Sequence, residues 1–347
     1  MVGLAYRVPT RMGDGSLVHL TLGEIEAEVR AGVEAAVKRA KTPPLAEDEI
    51  EHLVDIYASS SRFTGVDIGA EVVLSYDGSG VKTFASRLQD LQMYEQCFAA
   101  DLVELCHNDY SFKAVKTITA YEAQSMRDAQ LALTVPVQYG AMPNLGIYCQ
   151  PDGPAPNWAE LLPLGRFDEA RAGQEEAIEF AVTDMVNVGV ELAEAGADGI
   201  DFDTAGAAGD ADFLATLKAA ESLRARYPGF GIEIGMAGEF VLGMHGELEY
   251  DGVRLAGLWP REQLEVATKA GAHMFGPAVN VNSGKTAAWN VARACTIVKP
   301  CVDEATIPIH MNVGMGVGGV PMTTYNPVDA VSRASRACVD ILRLDGL

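Results

Sequence analysis

The stretch from Gly196 to Asp210 constrains the fold of this chain more than any other. Apolar residues at helical spacing lead up to it, and Gly196 can end that helix in a left-handed conformation. Apolar residues then alternate with Asp201 and Asp203, which predicts a strand with one apolar and one acidic face. A polar turn and a new helix follow. Two carboxylates are thus expected at the C-terminal end of a parallel strand, where α/β proteins carry their chemistry; in the alternative, Asp203 only caps the next turn.

Strand and helix patterns alternate along the rest of the chain, which predicts a parallel sheet. The predicted strands are Asp101–Cys106, Leu133–Tyr139, Gly199–Asp203, Gly231–Gly235, His273–Val279 and Ile307–Val313. The predicted helices are Tyr121–Leu131, Phe167–Ala195, Ala211–Arg226, Arg261–Ala270, Thr286–Asp303 and Pro327–Leu342. Two Ala-Gly-Ala turns, at 195–197 and 270–272, are typical of barrels. We therefore expect a TIM-type (β/α)8 barrel over 91–347, incomplete at the C-terminus, rather than a doubly wound sheet.

The first 90 or so residues predict a small N-terminal α+β cap outside this repeat. Residues 10–20 predict a hairpin around a Gly-Asp-Gly turn. Thr21 and Glu24 have the spacing of a capping box, which predicts the start of a helix. A second helix is predicted over Glu47 to Tyr57, and a further turn within Glu71 to Phe84.

The charge balance limits the partners of the protein. The chain has 347 residues, of which 48 are acidic and 26 basic, so its net charge is −22. This charge argues against nucleic acids and anionic membranes as partners and favours a cationic substrate or a basic partner. No apolar run reaches the about 18 residues of a membrane helix, and the N-terminus lacks the apolar segment of a signal peptide. We expect a cytoplasmic protein.

The six cysteines form no CxxC pair. In a chain of this length that spacing argues against a disulfide framework. Cys295 and Cys301 lie between His273 and His310, so a zinc site there is an alternative to free thiols. Because no compact ligand spacing appears, we expect free thiols and no bound metal.

Polar side chains recur at the predicted strand ends and on one face of several strands. They are Glu104, Gln138, Asp201, Asp203, Glu233, Asn280, Asn282, His310 and Asn312. The interior of a barrel is normally filled by bulky aliphatic side chains. The polar set therefore predicts a site for a small, polar, cationic ligand; the alternative is a buried hydrogen-bond network that only orders loops.

Two long glycine-rich loops follow predicted strands, from Gly235 to Pro260 and from Gly314 to Pro321. The second could cradle a phosphate through its backbone N–H groups, but it lacks the Lys and Ser or Thr of a P-loop. The loops better fit a large flat ligand or the surface of a partner. Their methionines and His245 would otherwise serve loop packing and hydrogen bonding.

Eight runs along nearly the whole chain resemble the dimethylamine:corrinoid methyltransferases of methylamine metabolism. The runs are Arg11–Gly15, Glu104–Lys113, Tyr139–Asn144, Pro151–Pro154, Gly196–Asp210, Gly235–Pro260, Asn282–Thr286 and Gly314–Met322. They are long and specific. The resemblance therefore extends from the hairpin near the N-terminus to the last glycine-rich loop.

The resemblance implies transfer of a methyl group from dimethylamine to the Co(I) corrinoid of a cognate corrinoid protein, which yields methylamine. A methyl group on a free amine is a poor electrophile, so in this family the amine adds to the imine carbon of a pyrrolysine. That residue, encoded by UAG, follows the position of Leu347, and the resemblance implies that this chain stops one residue before it. We expect no tightly bound cofactor, a corrinoid carried by the partner protein, and a homo-oligomer.

The resemblance also implies roles for the polar strand ends and the two loops. The catalytic candidates, which would hold the cation or protonate the imine, are Glu233, Asp201 and Asp203. The substrate-binding candidates are Gln138, Tyr139, Glu239, Asn280, His310 and Asn312. The corrinoid-docking candidates are Met236, Met244, His245 and Met315.

Two alternatives from other classes stay open. A truncated product could be catalytically inactive and only dock a corrinoid protein or assemble with intact subunits. A zinc-dependent corrinoid methyltransferase would need a His-x-Cys pair, which the sequence lacks. We further expect Leu347 to lie beside the polar strand ends at an open sheet edge. We expect the 347-residue chain to be unstable or aggregation-prone and to lack methyl transfer.

Overall fold

The fold was obtained as a computed structural model that describes residues 6–61, 64 and 138–347. Several predictions lie outside the described residues. They are the strand Asp101–Cys106, the helix Tyr121–Leu131, the turn within Glu71–Phe84 and the side chain of Glu104. Of the predicted strand Leu133–Tyr139, only the last two residues are described.

The N-terminal part forms a hairpin followed by two helices, as predicted. Strands β1 (Val8–Arg11) and β2 (Leu17–Leu20) pair in antiparallel fashion. Helix α1 (Leu22–Ala40) begins at a capping box, in which the Thr21 hydroxyl accepts from the Glu24 N–H and the Glu24 carboxylate accepts from the Thr21 N–H at 2.7 Å. Helix α2 covers Glu47–Ala58. Both predicted helices are confirmed.

A four-stranded parallel sheet organises the remainder of the described chain. Its strands β3 (Gln138–Ala141), β4 (Gly199–Ala205), β5 (Gly231–Met236) and β8 (Met274–Gly276) lie side by side in that order. Two short strands between β5 and β8, β6 (Glu249–Tyr250) and β7 (Val253–Arg254), form a small separate hairpin. Strands β4 and β5 begin at the predicted residues, and each extends one or two residues further than predicted.

Helices lie between these strands, and two more follow the last strand. They are α3 (Trp158–Leu161), α4 (Phe167–Glu194), α5 (Asp210–Arg226), α6 (Pro260–Lys269), α7 (Ala287–Glu304) and α8 (Val328–Ala337), which continues as a π turn over Cys338–Leu342. Single 3-10 turns cover Leu145–Tyr148 and Leu162–Leu164. No helix in the described part of the chain is both long and apolar enough to span a bilayer.

Prolines shorten two of the predicted strands. The prediction His273–Val279 is too long, because strand β8 ends at the residue before Pro277. The prediction Ile307–Val313 is wrong as an extended strand, because only isolated residue pairs form there. Pro308 has no N–H to donate to a neighbouring strand. Pro308 takes part in the pairing only as an acceptor, since its carbonyl accepts the Phe275 N–H at 3.1 Å.

Isolated pairs nevertheless continue the parallel arrangement beyond β8. Ile309 pairs with Phe275, and His310 pairs with Gly346, both in parallel orientation. The carboxylate of Asp345 accepts the Ile309 N–H at 2.9 Å and fixes this pairing. The described residues thus form a mixed α/β fold with a parallel sheet, and no closed barrel is formed among them.

The apolar face of the sheet is covered by helices. Ile200 lies beside Ile232, Phe202 lies beside Ile234, and all four side chains are buried. Because side chains alternate along a strand, the residues between them point to the opposite face. The acidic residues of β4 and β5 therefore share the face that points away from these helices.

Helix α1 packs closely on α7, which is buried along most of its length. A Cβ atom placed on Gly32 of α1 would lie 2.3 Å from the carbonyl oxygen of Trp289. A side chain at that position would force the two helices apart. The N-terminal segment is in this way bound to a helix that follows β8.

Both Ala-Gly-Ala turns end a helix in the same way. The N–H groups of Gly196 and Ala197 donate to the carbonyls of Ala193 and Leu192, and Gly196 has φ +87°. This is a Schellman motif, and Gly271, with φ +92°, forms the second one. The motif leaves four residues between the end of α4 and the start of β4 and so sets the start of the acidic strand.

We expect the Gly196→Ala variant to lose about 1 kcal/mol of stability, because alanine is disfavoured in the left-handed region. No atom lies within 4 Å of the added methyl group, so the loss would be conformational. Gly229→Ala is the matched control, since Gly229 also has open space but no left-handed backbone. Urea unfolding measures the difference; equal stability of the two variants would contradict this assignment.

Candidate active site

Three carboxylates share one face of β4 and β5. Asp201 and Glu233 are direct neighbours in the register of the two strands. Asp203 lies two residues beyond Asp201 and therefore on the same face. We call Asp201, Asp203 and Glu233 the carboxylate cluster. Strand alternation in the sequence predicts this common face, and the observed register brings the residues together.

His310 completes the cluster from the segment that follows α7. Its Nδ1 lies 2.5 Å from Oε1 of Glu233, whose side chain is buried. Burial lowers the pKa of His310, but the hydrogen bond and charge of Glu233 raise it, as do the backbone of Leu347 and the charge of Asp203; the net pKa lies above the ordinary value. His310 is therefore a cation over a wider pH range than a free histidine.

Leu347 lies beside this cluster, as expected from the sequence. Gly346 pairs with His310, and the Met311 N–H donates to the Gly346 carbonyl at 3.2 Å. The backbone of Leu347 is hydrogen-bonded to the His310 side chain. The carboxylate of Asp345 holds this segment in place, a role that its position in a short Leu-Asp-Gly run does not reveal.

The turn after β4 holds a strained residue beside the cluster. Thr204 has φ +57°, which is uncommon for a β-branched side chain, and its N–H donates to Oδ1 of Asp203 at 2.7 Å. Strain of this kind concentrates at functional sites. Sequence reasoning missed Thr204, because left-handed backbone at a threonine has no sequence signal.

Asp212 supports the same turn from the first turn of α5. Its side chain is buried, and Oδ2 accepts the N–H of Ala208 at 3.4 Å. Burial raises the pKa of Asp212 to about 7, although the backbone N–H groups of 206–208 lower it. The residue ties the glycine-rich turn to the helix behind it. Its place in the first helical turn is a sequence signal for such bonds.

Glu239, a predicted substrate-binding residue, is paired with arginine side chains. It forms a buried ion pair with Arg293 of α7, and Arg39 approaches the same carboxylate at 3.4 Å. Two guanidinium groups therefore balance its charge. Asn280 accepts the Glu239 N–H at 3.4 Å, so both predicted binding residues fasten the loop after β5. Sequence reasoning missed Arg293, although an arginine in an otherwise apolar helix signals a buried partner.

The docking candidates divide into buried and exposed residues. Met236 and His245 are buried, so neither side chain lies on the surface. His245 bonds through Nε2 to Glu175 at 2.8 Å, which agrees with the alternative of a hydrogen bonder within the loop. Met244 and Met315 are exposed on loops at the C-terminal ends of the strands. Only these two remain candidates for direct contact with a partner.

The remaining binding candidates lie on or next to the sheet. Gln138 and Tyr139 begin β3, where their backbone pairs with residues 199 and 200. Asn312 is exposed and follows the pair formed by His310. The structure therefore places β3 next to the acidic strand β4.

Cys149, Cys295, Cys301 and Cys338 are free thiols. Burial raises the pKa of Cys301 and of Cys338 to about 12, so both stay protonated at neutral pH. Zinc binds thiolates rather than thiols. Over residues 6–61 and 138–347, no three His, Cys, Asp or Glu side chains are grouped to hold a metal ion. Cys97 and Cys106 lie outside the described residues.

The raised pKa of His310 depends on the hydrogen bond and charge of Glu233, so Glu233→Gln should lower that pKa. The pair stabilises the fold fully below about pH 6.5, the ordinary pKa of histidine, and this contribution is lost as pH rises through the higher folded-state pKa. NMR titration of the histidine ring carbons measures the change. Glu175→Gln, which removes the partner of His245, is the control and should leave His310 unchanged; an equal His310 pKa in both variants would refute the coupling.

The comparison with known protein families matches the chain over nearly its whole length. The family model of dimethylamine methyltransferases aligns with residues 6–347. This range includes the carboxylate cluster, His310 and all the loops described above. No solved structure matches the chain. The chain therefore belongs to the dimethylamine methyltransferase family.

Proposed function

We propose that the carboxylate cluster and His310 bind dimethylamine as a cation and that one methyl group passes to the Co(I) corrinoid of a cognate corrinoid protein, leaving methylamine. The observation that carries this proposal is that three carboxylates share one face of two neighbouring parallel strands and that a histidine is bonded to one of them. A neutral or anionic substrate would not need such a site. Family membership supports dimethylamine as the cation.

The carboxylates act first as a cation site. A dialkylamine is protonated at neutral pH, and a cation between Asp201, Asp203 and Glu233 offsets their mutual repulsion. Glu233 is buried, so its attraction to a cation is stronger than it would be in water. Holding the amine in one orientation turns a bimolecular encounter into a positioned reaction.

His310 and Glu233 then serve to accept or donate a proton. Nδ1 of His310 lies within hydrogen-bond distance of Oε1 of Glu233, and the raised pKa of His310 favours its protonated form. An amine must lose its proton before its nitrogen can react as a nucleophile. The pair is placed to accept that proton or to donate one to a neighbouring nitrogen.

Two groups implied by the resemblance supply the remaining chemistry when they are present: a pyrrolysine imine after Leu347 as the electrophile, and a corrinoid on the partner protein as the methyl acceptor. The described residues fit both. Leu347 lies at His310, so the next residue along the chain would be beside the cluster. Met244 and Met315 are exposed at the same end of the sheet, where adaptable apolar side chains suit a docking surface.

The architecture we propose for the whole family chain is the TIM-type (β/α)8 barrel. Strand positions 138–141, 199–205, 231–236, 274–276 and 309–310 follow one another in parallel, in chain order, and residue 346 continues the series. Helices lie between most of them. From the sequence and the resemblance we further propose a cytoplasmic homo-oligomer.

The test compares the 347-residue chain with a form that continues past Leu347 through pyrrolysine. Mixed with dimethylamine and the reduced corrinoid protein, the extended form should produce methylamine and methylated corrinoid in equal amounts. The 347-residue chain should produce neither, because no described residue offers an imine. Mass spectrometry of the amine and the absorbance of the corrinoid measure the two products.

Variants of the extended form connect activity to the cluster. Asp201→Asn and Glu233→Gln should each lower kcat/KM about 100-fold or more, since they remove a cation ligand or a proton acceptor. Asp303→Asn changes an exposed aspartate at the far end of α7 and should leave kcat/KM unchanged. Full activity of the cluster variants, or none in the extended wild type, would contradict the proposal.

A further inference from the structure

Glycines replace side chains in the layer directly beyond Asp201 and Glu233. Gly235 of β5 and Gly276 of β8 are neighbours in register. Residues two apart on a strand point to the same face, so Gly235 shares the face of Glu233. Barrel interiors normally hold bulky side chains in such layers. β5 and β8 therefore place no side chain of their own in this layer.

The geometry at Gly235 shows what this space faces. A Cβ atom built there would lie 3.4 Å from Oδ1 of Asp203 and 3.6 Å from Oδ1 of Asp201. These are ordinary contact distances, so a methyl group fits without a clash. Gly235 also has no left-handed backbone. Neither conformation nor close packing requires a glycine at this position.

Gly276 has a different reason to be glycine. A Cβ atom there would lie 2.9 Å from the His310 carbonyl and 3.1 Å from Cα of Gly235. Close approach of neighbouring strands therefore excludes a side chain at 276. Close packing explains the glycine at position 276. It does not explain Gly235, which is distinguished only by the space beside two carboxylates.

We propose that Gly235 is a specificity-determining residue, whose missing side chain makes room for the N-methyl groups of a small dialkylammonium ion beside Asp201 and Asp203. This inference rests on the proposed function. The carboxylates attract any small ammonium ion, because the charge of such an ion does not depend on its number of methyl groups. The space at Gly235 distinguishes amines by size.

Binding beside Gly235 should depend on the size of the amine. A methyl group added at 235 would occupy part of the space used by dimethylammonium, whereas methylammonium, with one methyl group fewer, can avoid it. A difference of one methyl group in a fitted pocket changes affinity by about 10-fold to 200-fold. Gly235→Ala should thus weaken dimethylammonium binding at least about tenfold and methylammonium binding much less.

Calorimetric titration of the purified chain with dimethylammonium and methylammonium chloride tests this statement. Gly229→Ala is the matched control, because it makes the same substitution just before β5 with no atom within 4 Å. We expect Gly229→Ala to bind both ions like the wild type, and Gly235→Ala to lose its preference for dimethylammonium. Wild-type preference in Gly235→Ala would overturn the role of Gly235 alone, whereas no binding of either ion to the wild type would overturn the proposed function with it.

A second measurement on the wild-type protein does not depend on how a variant folds. With glycine labelled at Cα, the methyl protons of dimethylammonium should show NOEs to the Hα protons of Gly235 and none to those of Gly229. A bound ion without an NOE to Gly235 would overturn the inference and leave the cation site intact.

Discussion

The hydrogen bond between Nδ1 of His310 and Oε1 of Glu233 is the interaction on which the rest of the site depends. A buried carboxylate is costly unless it is paired, and Glu233 is almost fully buried. The same bond fixes His310, which pairs with Gly346 and bonds to the backbone of Leu347. One contact therefore joins β5, the segment after α7 and the last residues of the chain into a single site.

Other charged side chains hold the loops around this site in place. Arg293 and Arg39 fasten Glu239 after β5. The carboxylate of Asp210 accepts the N–H groups of His245 at 2.9 Å and of Gly246 at 2.7 Å, which ties the same loop to α5. These carboxylates are already engaged by cations or backbone groups. The carboxylate cluster differs from them in its place, on one face of β4 and β5, where we propose that the cationic substrate binds.

The sequence predicts those parts of the fold and site that depend on local pattern. The capping box at Thr21, the left-handed glycine at Gly196 and the alternation that carries Asp201 and Asp203 are each set by a few neighbouring residues. Contacts between distant residues could not be predicted in this way. The pair of Glu239 and Arg293 is one example, since 54 positions separate the two residues.

Strand ends and loop roles were the least predictable features. Apolar patterns alone extended one predicted strand past Pro277, where the missing N–H group ends the pairing. They also predicted a continuous strand around Pro308, where only isolated pairs form. His245 and Met236 looked like surface candidates because their loop is rich in glycine, but tertiary packing buries both. Burial depends on what the loop packs against, and this information is not local.

The central claim is that the carboxylate cluster holds the amine, and a crystal structure of the protein with bound dimethylammonium tests it most directly. The account predicts the amine nitrogen about 3 Å from carboxylate oxygens of the cluster, with a methyl group in the space beside Gly235. A dimethylammonium ion bound at another place, with the cluster occupied only by water, would contradict the account.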